Sequence, residues 1–211
     1  SIKLFLRKIK YVSRLKVAFT GGEKITDSFV TSFGCSLAKI QTLSTFMMSF
    51  KLCSQLSDMG FSHLGSFLMK LPRITTLKIY LDVMFCPRIT DWTLQTIGSS
   101  IEKLRLLTNL TFYIDHFYRL SNNGVISLSS SIKKMKALSK LAVSFGAFTK
   151  INDYGVMTLG SHISRLQSLR VLSIYFSYMN ISDSAVISLG QALEQLKNLT
   201  HLKIYFEVCF H

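Results

Sequence analysis

Two prolines in 211 residues, and only 11 Asp and Glu set against 25 Lys and Arg, are the first features of this chain. With so little proline and a dense periodic pattern, no stretch reads as a linker or a low-complexity tract. Hydrophobic residues make up 48%, yet polar residues interrupt them every few positions. No run therefore approaches the roughly 18 apolar residues needed to span a bilayer. The four cysteines, Cys35, Cys53, Cys86 and Cys209, form no CxxC pair and suggest no disulfide framework. They read as free thiols in a reducing, intracellular compartment. His63, His116, His162, His201 and His211 show no metal-ligand spacing, and no GxxxxGK, GxSxG or HExxH occurs. The sequence thus points to no catalytic, metal-binding or cofactor-binding residue, and the chain is expected not to be an enzyme. The shortage of acids leaves a formal charge of +14. That charge favours an acidic protein partner, a nucleic-acid backbone or an anionic surface.

What the chain has in abundance is a repeat. With the first apolar residue of each strand-like segment as origin, the origins are Val12, Leu43, Ile74, Leu107, Leu138, Leu169 and Leu199. The intervals are 31, 31, 33, 31, 31 and 30 residues. Counting back 18 from each later origin reaches Ile25, Leu56, Ile89, Leu120, Ile151 and Ile181. Length therefore varies only between the strand and that residue, as expected for a surface loop beside a fixed, packed helix.

The strand segments alternate. Leu77, Ile79 and Leu81 point one way, and Lys78, Tyr80 and Asp82 the other. The second segment, with Phe46, Met48 and Phe50, has the weakest leucine-like pattern. Caps such as Thr26-Asp27, Ser57-Asp58, Thr90-Asp91, Asn152-Asp153 and Ser182-Asp183 precede the helical parts. Their side chains can accept from the unpaired N–H groups of a helix start, and the carboxylate suits its dipole. Apolar residues then follow at spacings of three and four, one helix face. Gly34, Gly65, Gly98, Gly160 and Gly190 recur mid-helix, with Ser129 the exception. A mid-helix glycine costs about 1 kcal/mol against Ala, so its recurrence implies close helix packing. Strands joined by helical crossovers run parallel. Helices pack roughly 8–10 Å apart and strands about 4.8 Å. The expected fold is an α/β solenoid, a curved horseshoe with a parallel sheet on the concave side and helices on the convex side.

The segments LTHLKIYF and LRVLSIYF resemble the LxxLxL strand of leucine-rich repeats, and ISDSAVISLGQALEQL is similar to the helical half of the ribonuclease-inhibitor-like subclass. The resemblance covers nearly all of residues 1–211, as one domain of about six full repeats with partial units at both ends. Residues 1–11 read as the end of a helix, so the domain is expected to belong to a longer chain or assembly. That subclass usually carries Asn or Cys shortly after the strand, bonding loop backbone. Here the equivalent places are read as Gly146, Ser177 and Met84.

Two rows stand out as candidate surfaces. Lys39, Lys70, Lys103, Lys134 and Arg165 stand four positions before successive strand origins. Each could neutralise its own helix C-terminus, or together they could form a cationic rim for a polyanion. A second basic row, Lys24, Arg88, Arg119 and Lys150, precedes the caps, three of them three residues before an Asp and so placed for local pairing. On the concave face, Tyr80, Tyr113, Tyr175 and Tyr205 share one strand position, with Lys78 and Lys203 beside them. Tyr80 and Tyr113 form one pair, Tyr175 and Tyr205 another. Ser144 between them is expected to leave a gap that a partner's side chain could enter. The function expected is a non-catalytic protein-interaction scaffold or structural subunit of a larger assembly. The alternative is a subunit that contacts nucleic acid or another polyanion through the basic rim.

Overall fold

The computed structural model describes residues 9, 11–21, 23–146 and 150–209. The helix end read over residues 1–11 falls mostly outside them. Strand and helix alternate strictly: β1 (Arg14–Thr20), α1 (Asp27–Leu37), β2 (Thr45–Lys51), α2 (Asp58–Leu68), β3 (Thr76–Asp82), α3 (Asp91–Ile101), β4 (Asn109–Asp115), α4 (Asn122–Ile132), β5 (Lys140–Phe145), α5 (Asp153–Ile163), β6 (Val171–Ser177), α6 (Asp183–Leu193) and β7 (His201–Glu207). The strands form one open parallel sheet in sequence order. Arg14, Thr45, Thr76, Asn109, Lys140, Val171 and His201 lie side by side, so the register reproduces the sequence intervals. Each helix has 11 residues, the constant half of the repeat. The fold is a leucine-rich-repeat-like solenoid.

One face of the sheet is covered by the helices, and alternation sends its side chains there. Leu77, Ile79 and Leu81 are buried, and so are Phe46, Met48 and Phe50 of the segment with the weakest pattern. The glycine row has the expected cause. A Cβ at Gly34, Gly65, Gly98 or Gly160 would strike Phe67, Ser100, Ser131 or Leu189 of the following helix. Gly190 faces open space, because no described helix follows α6.

The caps hold more than their own helices. Asp27 Oδ1 accepts from the Ser57 N–H at 2.9 Å, and its other oxygen accepts from the Ser57 hydroxyl. Asp58 does the same to Thr90, at 2.8 and 2.7 Å, and also accepts from Thr93 Oγ1 at 2.6 Å. Asp91 holds Ser121, and Asp153 holds Ser182. These carboxylates therefore bond the cap of the next repeat. Arg88 does not take up the local pairing with Asp91 expected of it. Arg88 donates instead to the Gln55 carbonyl, at 2.7 Å.

A thiol series ties the loops behind the strands. Cys53 Sγ donates to the Lys51 and Phe19 carbonyls at 3.4 and 3.8 Å, Cys86 to Cys53 at 3.1 Å, and Cys209 to Phe176 at 3.7 Å. Cys86 lies two positions past Met84, one of the places read as equivalent to the subclass's Asn or Cys. All four cysteines are free thiols. Burial, then the neighbouring Cys53, pushes the Cys86 thiol up to about 11, which makes it a poor nucleophile.

Candidate functional site

The sheet's other face carries no helix. Its central row follows the register Ala18, Ser49, Tyr80, Tyr113, Ser144, Tyr175, Tyr205. Tyr80 and Tyr113 stack with ring centroids 5.3 Å apart, and Tyr175 and Tyr205 at 4.7 Å, so each expected pair forms. The expected gap does not. Tyr113 and Tyr175 stand two strands apart, about 9.6 Å at the backbone. Their rings nevertheless lie 5.4 Å apart, tilted by 41° over Ser144. Ser144 is too short to hold them apart, and each ring leans in to regain the contact area that an isolated ring would lose. The four tyrosines form one continuous ladder rather than two pairs.

The ladder is polar at its tip. The Tyr113 and Tyr175 phenols lean toward each other there. Burial, then the Tyr175 hydroxyl beside it, then the neighbouring phenols hold the Tyr113 phenol well above its ordinary range. Burial alone raises Tyr80. Lys78 and Lys203 lie two residues before Tyr80 and Tyr205 on the same strands, and so share their face.

Beside the ladder lies a hollow of about 310 Å³ lined by Tyr80, Tyr113, Ser144, Lys51, Asp82 and Asp115, among others. Lys51 Nζ meets Asp82 at 3.5 Å. His116 Nδ1 lies 3.1 Å from Asp82 and 3.5 Å from Asp115. His116 had not been singled out from the sequence. It follows the last residue of β4 with a left-handed φ of 53°, shared at the same point of other repeats by Leu52, Tyr178 and Val208. This turn carries the imidazole back over the sheet edge. Gly146 leaves room for Asp115, whose carboxylate a Cβ there would strike.

Among the described residues, no group of three or more His, Cys, Asp and Glu is placed to hold a metal ion. No described helix is long and apolar enough to cross a membrane.

The rim residues Lys39, Lys70, Lys103, Lys134 and Arg165 all lie exposed just past helix ends. Their backbone N–H groups cap the last helical carbonyls, as Lys39 does to Ser36 at 3.3 Å and Lys70 to Phe67 at 3.0 Å. Their side chains do other things. Lys70 Nζ sits 5.5 Å from the centre of the Phe67 ring. Lys103 and Lys134 grip opposite oxygens of Glu102, at 3.2 and 3.0 Å. The side chains that reach helix-end carbonyls stand two positions later. Gln41 donates to Ala38 and Lys70, Lys136 to Arg165, and Gln167 to Ser164 and Gln195.

No protein-family model matches this chain, and no curated relative matches it. Among solved structures it is similar to a chain titled leiomodin-1 actin-binding site 2, with 17% sequence identity and a TM-score of 0.53. The match covers 76% of this chain and 84% of that one. At that identity the likeness shows the fold.

Proposed function

We propose that this chain is a non-catalytic interaction module, a scaffold or structural subunit, that holds a protein partner on the helix-free face of its sheet. The observation that carries the reading is the unbroken ladder of Tyr80, Tyr113, Tyr175 and Tyr205. Its rings are partly exposed and rigidified by one another, and they carry hydroxyls. Tyrosine in such a setting offers large contact area at low entropy cost and is enriched among binding hot spots. Lys78 and Lys203 flank it and suit carboxylates on an acidic partner. We further assign the repeats to the ribonuclease-inhibitor-like kind, on the strength of the 11-residue helix and the loop-bonding cysteines. The free thiols fit a reducing compartment.

Nucleic-acid binding along the whole rim is the weaker reading, since Lys70, Lys103 and Lys134 already have partners within the chain. The test compares the chain with its Tyr113→Ala/Tyr175→Ala variant. Monomeric actin is a first probe, because the similar structure's title names it, and a partner captured on the immobilised chain is the second. The variant should keep its fold and lose at least about 2 kcal/mol of binding, roughly thirtyfold. Unchanged affinity would move the site to the loops or helices. A steep fall of affinity with salt, equal in both proteins, would favour the polyanion.

A further inference from the structure

Positive charge on the rim is not evenly spread. Between the C-terminal ends of α4 and α5, Lys133, Lys134, Lys136, Ser161, His162 and Arg165 line a hollow of about 430 Å³. Four cationic side chains, an imidazole and a hydroxyl surround it, and no carboxylate is among its lining. Lys134 is held from one side by Glu102 at 3.0 Å. Lys136 reaches across from the α4 side, its Nζ donating to the Arg165 carbonyl at 3.0 Å.

The imidazole is set in one form. Lys133 Nζ lies 3.3 Å from His162 Nε2, and Ser129 Oγ lies 2.8 Å from Nδ1. An ammonium can only donate, so Nε2 accepts and the ring proton stays on Nδ1, donating to Ser129. Ser129 is the residue that breaks the glycine row, so this junction departs from the repeat where the histidine is fixed. Burial, then Lys133, keeps the ring neutral by holding its pKa below the usual histidine value.

We propose that this hollow binds a phosphate monoester, with Lys133, Lys136 and Arg165 as its cations and Ser161 as a hydroxyl donor. Like charges converging on one small space repel each other until an anion lies between them. Three or more donors around one point match the several acceptor oxygens and the double charge of a terminal phosphate. A phosphodiester backbone asks instead for a track of evenly spaced free cations. The rim does not offer that track, since Lys103 and Lys134 turn onto the Glu102 carboxylate, whereas Lys133 and Lys136 meet only neutral groups, the His162 ring and the Arg165 carbonyl, and keep their charge uncompensated.

The test is calorimetric titration of the whole chain with inorganic phosphate at low ionic strength, with the His162 ring resonances followed by NMR. Saturable one-to-one binding that moves those resonances is expected. Lys133→Gln/Arg165→Gln should weaken it at least tenfold. Lys39→Gln/Lys70→Gln removes the same two charges elsewhere on the rim and should change it less than twofold. Competition by a phosphoserine peptide would mark a modified protein as the source of the group. Failure of that peptide to compete would mark a free phosphate compound. Either outcome supports the site. Equal loss in the two double variants, no saturation, or binding of an RNA oligonucleotide without binding of phosphate would overturn it.

Discussion

Asn122 and Asn152 face each other across the start of α4 and the start of α5. The Asn152 N–H donates to Asn122 Oδ1 at 3.1 Å, and Asn122 Nδ2 donates to Asn152 Oδ1 at 2.8 Å. At the other four junctions an Asp faces a Ser or Thr. The difference is one of proton supply. A serine hydroxyl can donate to a carboxylate while its lone pair accepts from the helix N–H. The Asn152 carbonyl already accepts from the Tyr154 N–H at 3.1 Å and has no proton to give. An amide at position 122 supplies it.

The pair is therefore expected to be coupled. Asn122→Asp places a carboxylate oxygen against Asn152 Oδ1 and should cost about 1–3 kcal/mol, the penalty for a polar group without its partner. Asn152→Ser in the same chain restores the arrangement of the other junctions and should recover most of that loss. Denaturant unfolding of the two singles and the double gives the coupling energy. Additive losses would show that the two side chains act independently.

The Tyr113 phenol should ionise late, and Tyr175 should be part of the reason. Ultraviolet titration is expected to show a phenol that stays protonated where free tyrosine, at about 10, has ionised. Tyr175→Phe removes the neighbouring hydroxyl and should bring that ionisation down, while burial keeps it above the ordinary value. The sign for stability follows from the raised pKa. The folded chain holds a proton that the unfolded chain loses above about pH 10, so this contribution is full below that pH and fades as pH rises. An unchanged titration in Tyr175→Phe would mean that the two phenols do not interact in solution.

How much of this was legible in the sequence depends on the range of the interaction. Leu77, Ile79 and Leu81 announce their buried face through a period of two, and the constant 11-residue helices through spacings of three and four. Both signals are local. The closure of Tyr113 on Tyr175 is not, because counting treats every ring as upright on its strand and cannot see two rings lean over a serine. The thiol contacts could not be read by counting, since repeat three carries two extra residues that push Cys86 along its loop. The rim residues stand just past the helix ends, as their sequence position implies, but where their side chains reach could not be read there. A lysine nitrogen lies several bonds from its Cα, so Lys134 could reach Glu102 in the preceding repeat. His116 gave no signal at all, since its left-handed φ is what turns it toward Asp82.

Glu102 should contribute an acid-sensitive part of the stability. Burial pushes its carboxyl up, but hydrogen bonds from Lys134 and Lys103 outweigh that and hold it below the usual range. A depressed carboxyl pKa stabilises the fold above the unfolded value of about 4.3, and the gain is lost as pH falls through the folded value. Glu102→Gln should flatten the stability profile in that window. At neutral pH it should cost no more than about 1 kcal/mol, because both lysines are largely exposed, at 62% and 60%. An acid limb as steep as that of the unaltered chain would remove Glu102 from the account.

Gly65 and Gly190 occupy the same place in their repeats, and the same substitution should act on them with opposite sign. Exchanging a mid-helix glycine for alanine gains about 1 kcal/mol from backbone propensity and a less disordered unfolded state. At Gly190 a Cβ meets nothing, so that gain should appear undiminished. At Gly65 the new carbon would overlap the Ser100 hydroxyl and stand 2.9 Å from the Ser100 Cβ. Ser100 cannot simply swing aside, since it is buried and its hydroxyl donates to the Thr96 carbonyl at 2.8 Å. Overpacking of that kind costs about 1–3 kcal/mol, enough to offset the propensity and reverse the sign. Thermal unfolding of Gly65→Ala and Gly190→Ala measures both. A gain at each position would mean that the helices can separate by a few tenths of an ångström at no cost, and close packing would no longer explain the glycine row.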